Sequence, residues 1–243
     1  MNPMGSERCP AWLLILSLGV AVLSPLPSTA QVISARRLPT DGAKPLTYVA
    51  LGDSTVSGVS ATDPERNYVS RLHERLRSAY PAARLVNLGV SGAIAADVVN
   101  GQLERTVALR PDLVTLSIGP NDITRGRAAA EYERNLETIF QTLLGETTAV
   151  LVVSLIPDLT VTPRFRGKEG AAEVGRRVAR FNQALRRQAQ AHGVEIVDLY
   201  TPSRREVPRR PDLIAADGYH PSDQGHARWA ELMWRGVERR LDR

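Results

Sequence analysis

The chain has 243 residues, of which 43% are hydrophobic and 23% charged. That is long and apolar enough for one α/β domain with a real core, and it excludes a disordered chain. The formal charge of +5 is almost all arginine, since Lys44 and Lys168 are the only lysines, and no aromatic residues interleave with it. The basic surface therefore reads as solvated charge, and no nucleic-acid partner is expected.

In chain order, Arg8 precedes the apolar run Ala11 to Leu23, which is followed by prolines and by the small residues Ser28 and Ala30. The run is too short to span a bilayer comfortably. It reads as a signal peptide over 1–30, cleaved after Ala30, with an uncleaved anchor as the alternative. Either way the catalytic part is expected outside the cytoplasm, secreted or periplasmic, and after cleavage no stable membrane span remains. Cys9 leaves with the signal, so the mature chain has no thiol for disulfides, catalysis or metal binding. Residues 31–45 are polar and contain proline, and they read as a linker.

From residue 46 to 243 the pattern is that of a single domain. Continuous apolar runs at 46–52, 84–90, 112–119, 149–156 and 194–200 suit strands buried on both faces. Helical patterns fall between them at about 65–79, 93–109, 128–144 and 171–192, and a last one at about 223–241. In the third, Tyr132, Leu136, Ile139, Phe140 and Leu143 recur at helical spacing. The alternation predicts a three-layer α/β/α fold with a five-stranded parallel sheet. The segment 157–170 is a long loop with a basic middle, a candidate rim over a site or else a surface connection.

Reactive residue types fall where the strands end, the edge at which such folds bind ligands. Ser54 follows the first strand in "LGDSTVSG". "NLGVSGA" (87–93) follows the second, "IGPND" (118–122) the third, and "DGYHPSDQGH" (217–226) precedes the last helix. A serine hydroxyl needs a base, and His220 is the natural one. Asp217 can accept from the other imidazole nitrogen and so fix the tautomer. An oxyanion needs donors, which the Ser54 N–H, the Gly92 N–H and the Asn121 amide can supply. Asp53 reads as a turn residue, Asp122 as a pin for the loop of Asn121, and Gly58 as a packing position for the next helix. His220, Asp223 and His226 do not have zinc-site spacing, and "HPSDQGH" reads as a helix start, with Pro221 in the first turn and Ser222 or Asp223 as cap. His73 and His192 read as surface or packing residues. The role of Asn182, on a helix pattern after Phe181, is open.

Taken in order, these segments resemble the SGNH, or GDSL-like, hydrolase superfamily. "GDS" (52–54), the glycine of "VSGA" (Gly92), "GPND" (119–122) and "DGYH" (217–220) match its blocks, over about 46–240 of the chain. The resemblance implies a flavodoxin-like sheet, Ser54 as nucleophile, Asp217 and His220 as acid–base pair, and an oxyanion hole of Ser54, Gly92 and Asn121. It favours Gly92 over Gly89 as donor. The sequence departs from the family at Thr55, where Leu is usual, and at Ile94, where a small polar residue is common. It implies a serine esterase or lipase without cofactor or metal, acting on small-molecule, lipid or carbohydrate esters. Short- to medium-chain acyl esters are favoured. Lysophospholipase, thioesterase and carbohydrate deacetylase activities are alternatives. The rival of another class is a non-catalytic flavodoxin-like protein that cradles phosphate in "GDSTVSG". It leaves Asn121 and "DGYH" without a purpose.

Overall fold

The computed structural model describes residues 36–241, together with Met1. The remainder of the expected signal segment and residues 31–35 lie outside the described residues. The elements are β1 (Thr47–Gly52), α1 (Ser54–Ser57), α2 (Tyr68–Ala79), β2 (Arg84–Asn87), α3 (Ala95–Asp97), α4 (Leu103–Ala108), β3 (Leu113–Ser117), α5 (Pro120–Thr124), α6 (Ala129–Glu146), β4 (Val150–Ser154), α7 (Ala171–His192), β5 (Glu195–Val197), α8 (Tyr200–Glu206) and α9 (Asp223–Glu238). A π-helical turn, Val98–Gln102, joins α3 to α4.

The five strands form one all-parallel sheet in the order β2-β1-β3-β4-β5. Alternate residues of each strand point to opposite faces. On one face Val49, Leu51, Val114, Leu116, Leu151 and Val153 pack with Tyr132, Phe140, Phe181 and Leu185 of α6 and α7. On the other, Tyr48, Ala50, Leu113, Val150 and Val152 pack with Leu72 and Leu76 of α2 and Met233 and Val237 of α9. Each fully buried leucine or valine contributes about 1.5–3 kcal/mol. This two-sided burial is why the strands read as unbroken apolar runs. It applies to β1, β3 and β4, which are buried along almost their whole length. The edge strands β2 and β5 are half-exposed, because each has a neighbour on one side only.

Four of the expected strands end early, β3 and β4 by two residues and β2 and β5 by three. The ladder of β2 closes at Asn87, although the Leu88 and Val90 amides still donate to Ala50 and Gly52 of β1. The run at 194–200 closes at Val197, because α8 opens at Tyr200. Residues 36–45, part of the expected linker, are docked on the domain. The Arg36 guanidinium donates to the carbonyls of Leu144, Thr147 and Ala149 at the end of α6, where helix carbonyls have no partner of their own. Leu38 is buried and bridges to Leu241. Among the described residues no helix is long and apolar enough to cross a membrane.

The strand order reverses between β1 and β3. In a parallel sheet that reversal opens a crevice beyond the carboxyl ends of the strands. Ser54, two residues past the end of β1, stands at its mouth.

Candidate active site

The turn that presents Ser54 is built by its neighbours. Gly52 has φ +143°, and a Cβ there would lie 2.0 Å from the Ser117 carbonyl oxygen of β3. Only glycine lets the two strand ends come this close. Asp53 caps α1, its Oδ1 accepting from the Thr55 amide at 3.0 Å. Burial pushes the Asp53 carboxyl up to about 7, and the Asp122 charge adds to the rise. At the far end of α1, Gly58 is left-handed and abuts the Asn67 side chain. Asn67 and Asn87 both donate to the Val56 carbonyl, at 2.8 and 2.7 Å. Ser54 itself is 7% exposed.

The acid–base turn comes from the other end of the chain. His220 Nε2 lies 2.9 Å from Ser54 Oγ, and His220 Nδ1 lies 2.5 Å from Asp217 Oδ2. With Nδ1–H donating to the carboxylate, Nε2 is free to accept the serine proton. Asp217 Oδ1 accepts from the amides of Tyr219 and His220 at 2.9 and 3.0 Å, so the aspartate builds the turn that aims the histidine. Burial pushes the Asp217 carboxyl up. The His220 ring and these two amides pull harder and hold it below its usual range.

The oxyanion side is tied together by polar side chains. Val90 to Ala93 forms a turn, with the Ala93 amide on the Val90 carbonyl at 3.0 Å and Gly92 at φ +82°. Arg125 Nη2 donates to the Gly92 carbonyl at 2.7 Å, and Asn121 Nδ2 to the Ala93 carbonyl at 3.0 Å. One Asn121 N–H remains beyond that bond. The Asp122 carboxylate accepts the Ala95 amide on both oxygens, at 3.2 and 3.1 Å, so it pins the second block to the third. Burial pushes Asp122 up to about 6. The Gly89 amide already donates to Asn87 Oδ1 at 2.9 Å, whereas the Gly92 amide makes no hydrogen bond among the described residues. Ile94 is buried and precedes α3, with its amide held by Asp97 Oδ2 at 2.9 Å.

The loop 157–170 flanks the acid–base turn. The Arg164 amide donates to the Gly218 carbonyl at 3.0 Å, and its guanidinium lies 4.8 Å from the Tyr219 ring centre. Asp223 and His226 point instead to residues 59–68. His73 bonds the Ala83 carbonyl and His192 packs edge-on against Phe140.

Two supporting residues stand outside the sequence motifs. Gln102, on the π-turn, accepts from the Gly52 amide and donates to the Gly52 carbonyl, both at 2.9 Å. Asn182 grips Ile156, just past β4, in the same way, with both bonds at 2.8 Å. Asn182 thereby satisfies both peptide groups of Ile156, and Gln102 satisfies the Gly52 amide while adding a second donor to a carbonyl that also accepts the Val90 amide. The sequence carries a signal for Asn182: it is a polar residue on the apolar stripe Val178, Phe181, Leu185 of α7.

Fold and site together define a hydrolase of carboxylic esters. The chain belongs to the GDSL-like Lipase/Acylhydrolase family, whose sequence pattern matches residues 50–228. It is 27% identical to Esterase TesA of Pseudomonas aeruginosa over 192 residues, covering 77% of this chain and 86% of that one. Its backbone superposes on the crystal structure of TesA with a TM-score of 0.66 at 24% identity, over 80% of this chain and 99% of the other. It superposes on an Axe2 variant, an acetyl xylan esterase from Geobacillus stearothermophilus, with a TM-score of 0.65 at 22% identity, over 84% and 100%. For LAE5, an alpha/beta hydrolase from the metagenome of Lake Arreo in Spain, the TM-score is 0.67 at 23% identity, over 81% and 96%.

Proposed function

We propose that this protein is an exported serine esterase that cleaves short- to medium-chain acyl esters through an acyl-enzyme on Ser54. The observation that carries the reading is the unbroken chain from Ser54 Oγ through His220 to Asp217 Oδ2. Ser54 Oγ attacks the ester carbonyl carbon while its proton passes to His220 Nε2. Asp217 stabilises the imidazolium without taking the proton. The carbonyl oxygen, now negative, is met by the Ser54 and Gly92 amides and the second Asn121 N–H. The alcohol leaves with the proton from His220, and a water activated by the same nitrogen releases the acid. No step needs a cofactor or a metal.

An apolar acyl group is supported by Val90, which is 54% exposed on the turn before Gly92. Export is supported by the apolar run Ala11 to Leu23 and the small residues before Gln31.

A fluorophosphonate probe, mapped by mass spectrometry, tests the nucleophile, and p-nitrophenyl acetate through octanoate tests the chain length. Labelling at Ser54 with hydrolysis across the series is expected. Folded protein that neither labels nor hydrolyses any of these esters refutes the reading. Thioesters and acetylated sugars in the same assay separate the alternatives. Amino-terminal sequencing of the exported protein is expected to begin at Gln31.

A further inference from the structure

Helix α9 is already capped by Ser222, whose Oγ accepts the Gly225 amide at 3.2 Å. Asp223 and His226 are therefore not needed to start it. Their side chains reach instead to residues 59–68, the excursion between the nucleophile's helix α1 and α2. Asp223 Oδ1 accepts the Thr62 amide at 2.9 Å. Its Oδ2 accepts the Thr62 hydroxyl at 2.6 Å and Arg66 Nη1 at 3.0 Å. His226 is 0% exposed, and its ring lies parallel to that of Tyr68. Its Nδ1 accepts the Tyr68 amide at 3.4 Å, and its Nε2–H donates to the Val59 carbonyl at 3.2 Å. These bonds require the neutral ring, protonated on Nε2. One imidazole thus holds both ends of the excursion.

The excursion leads directly to the acid–base turn. Ser60 sits at φ +69°, a left-handed conformation uncommon for serine. Its Oγ lies 3.4 Å from Asp217 Oδ2, the oxygen that faces His220. The segment that follows Ser54 is thereby tied to the one that carries Asp217 and His220 by Ser60, Asp223 and His226, none of which bonds Ser54 or His220 among the described residues; Val59 passes the tie on, its amide donating to the Ser54 carbonyl at 2.9 Å.

We propose that Asp223 and His226 are positioning residues: through Thr62, Val59 and Ser60 they set the register of the nucleophile's loop against the acid–base turn. The proposal rests on Ser54, His220 and Asp217 being the reacting set. A displacement of about 1 Å at such a set can cost on the order of a hundredfold in rate, so the ties matter to turnover as well as to folding.

The test compares Asp223→Ala and Asp223→Asn in the full chain, by kcat and KM on p-nitrophenyl butyrate, the rate of fluorophosphonate labelling of Ser54, and Tm. For Asp223→Ala, kcat and the labelling rate are expected to fall by about 10- to 100-fold, with KM within about threefold. Asp223→Asn can accept the Thr62 amide with Oδ1 and donate to its hydroxyl with Nδ2 while giving up the Arg66 bond, and it is expected to recover part of the loss. If Asp223→Ala does not fold, Thr62→Val removes one tie, and a fall in kcat of about three- to tenfold is expected. A folded Asp223→Ala (or, in its place, Thr62→Val) with kcat within about twofold of the parent overturns the proposal, as does an Asn variant no better than Ala; both leave the residues a purely structural role. Failure of the parent protein to label or turn over would instead sink the assignment of Ser54, and the inference with it.

Discussion

The two halves of the site are made differently. The nucleophile half is part of the sheet: Gly52 is a strand residue, Asp53 and Ser54 are buried, and Gln102, Asn67 and Asn87 hold the surrounding peptides from a distance in sequence. The acid–base half is a surface turn, with the Asp217 side chain 40% exposed. It is shaped mostly by bonds three residues apart or closer. A buried half fixes position at the cost of intolerance to change. A surface turn lets the histidine exchange protons with substrate and water while a short local motif keeps its aim.

The contrast can be broken from either side. The largest effect is expected from Ser54→Ala, which removes the proposed nucleophile without disturbing a backbone tie of its side chain. Turnover of p-nitrophenyl butyrate should fall by about 10⁴-fold or more, with Tm nearly unchanged. A Tm drop of many degrees would show that the hydroxyl is structural. Asn121→Ala is next: loss of an oxyanion donor should raise the barrier by about 2.7–4 kcal/mol, a drop of about 10²–10³ in kcat. A loss seen only in KM would remove Asn121 from that role.

Gln102→Ala leaves the buried Gly52 amide without its partner and the Gly52 carbonyl with the Val90 amide alone. It should destabilise the fold by about 2–4 kcal/mol in urea unfolding, and unlike Ser54→Ala it should lower Tm. An unchanged Tm would mean that the clamp is dispensable. The smallest effect concerns Asp53. Its folded value of about 7 lies above the ordinary 3.8, so between these values the folded state binds more protons than the unfolded one. Its stabilising contribution is full below about pH 4 and is lost as the pH rises toward about 7. Asp53→Asn keeps the cap and cannot ionise. The stability of this variant relative to the parent should therefore grow by about 1–3 kcal/mol between about pH 4 and pH 8. A difference independent of pH would place the Asp53 carboxyl in a far more polar setting.

The same contrast decides what could be read from the sequence. Long buried strands and long amphipathic helices announce themselves by periodicity, and α7 falls at 171–192 as the pattern predicts. The short helices α1, α5 and α8 were not legible, because one or two turns are too brief to repeat. The residues that the fold gathers at the candidate site were legible because polar groups stand out at the ends of apolar strands. Asp217 and His220 lie three apart, so their pairing was readable as a local motif. Gln102 and Gly52 are fifty residues apart, and only the folded chain shows that one serves the other. Likewise Asp223 and His226 read as part of a helix start, since their partners at 59–68 lie on the far side of the sequence.

The docking of Arg36 and Leu38 has a practical consequence. Arg36 meets the carbonyl of Ala149, at the start of β4, whereas Ser54 follows the end of β1, and the two strands run in the same direction. Arg36 is thus anchored at the edge of the sheet away from the serine. An affinity tag or a bead linkage placed there would leave the catalytic mouth unobstructed. The same attachment at the other edge would cover it.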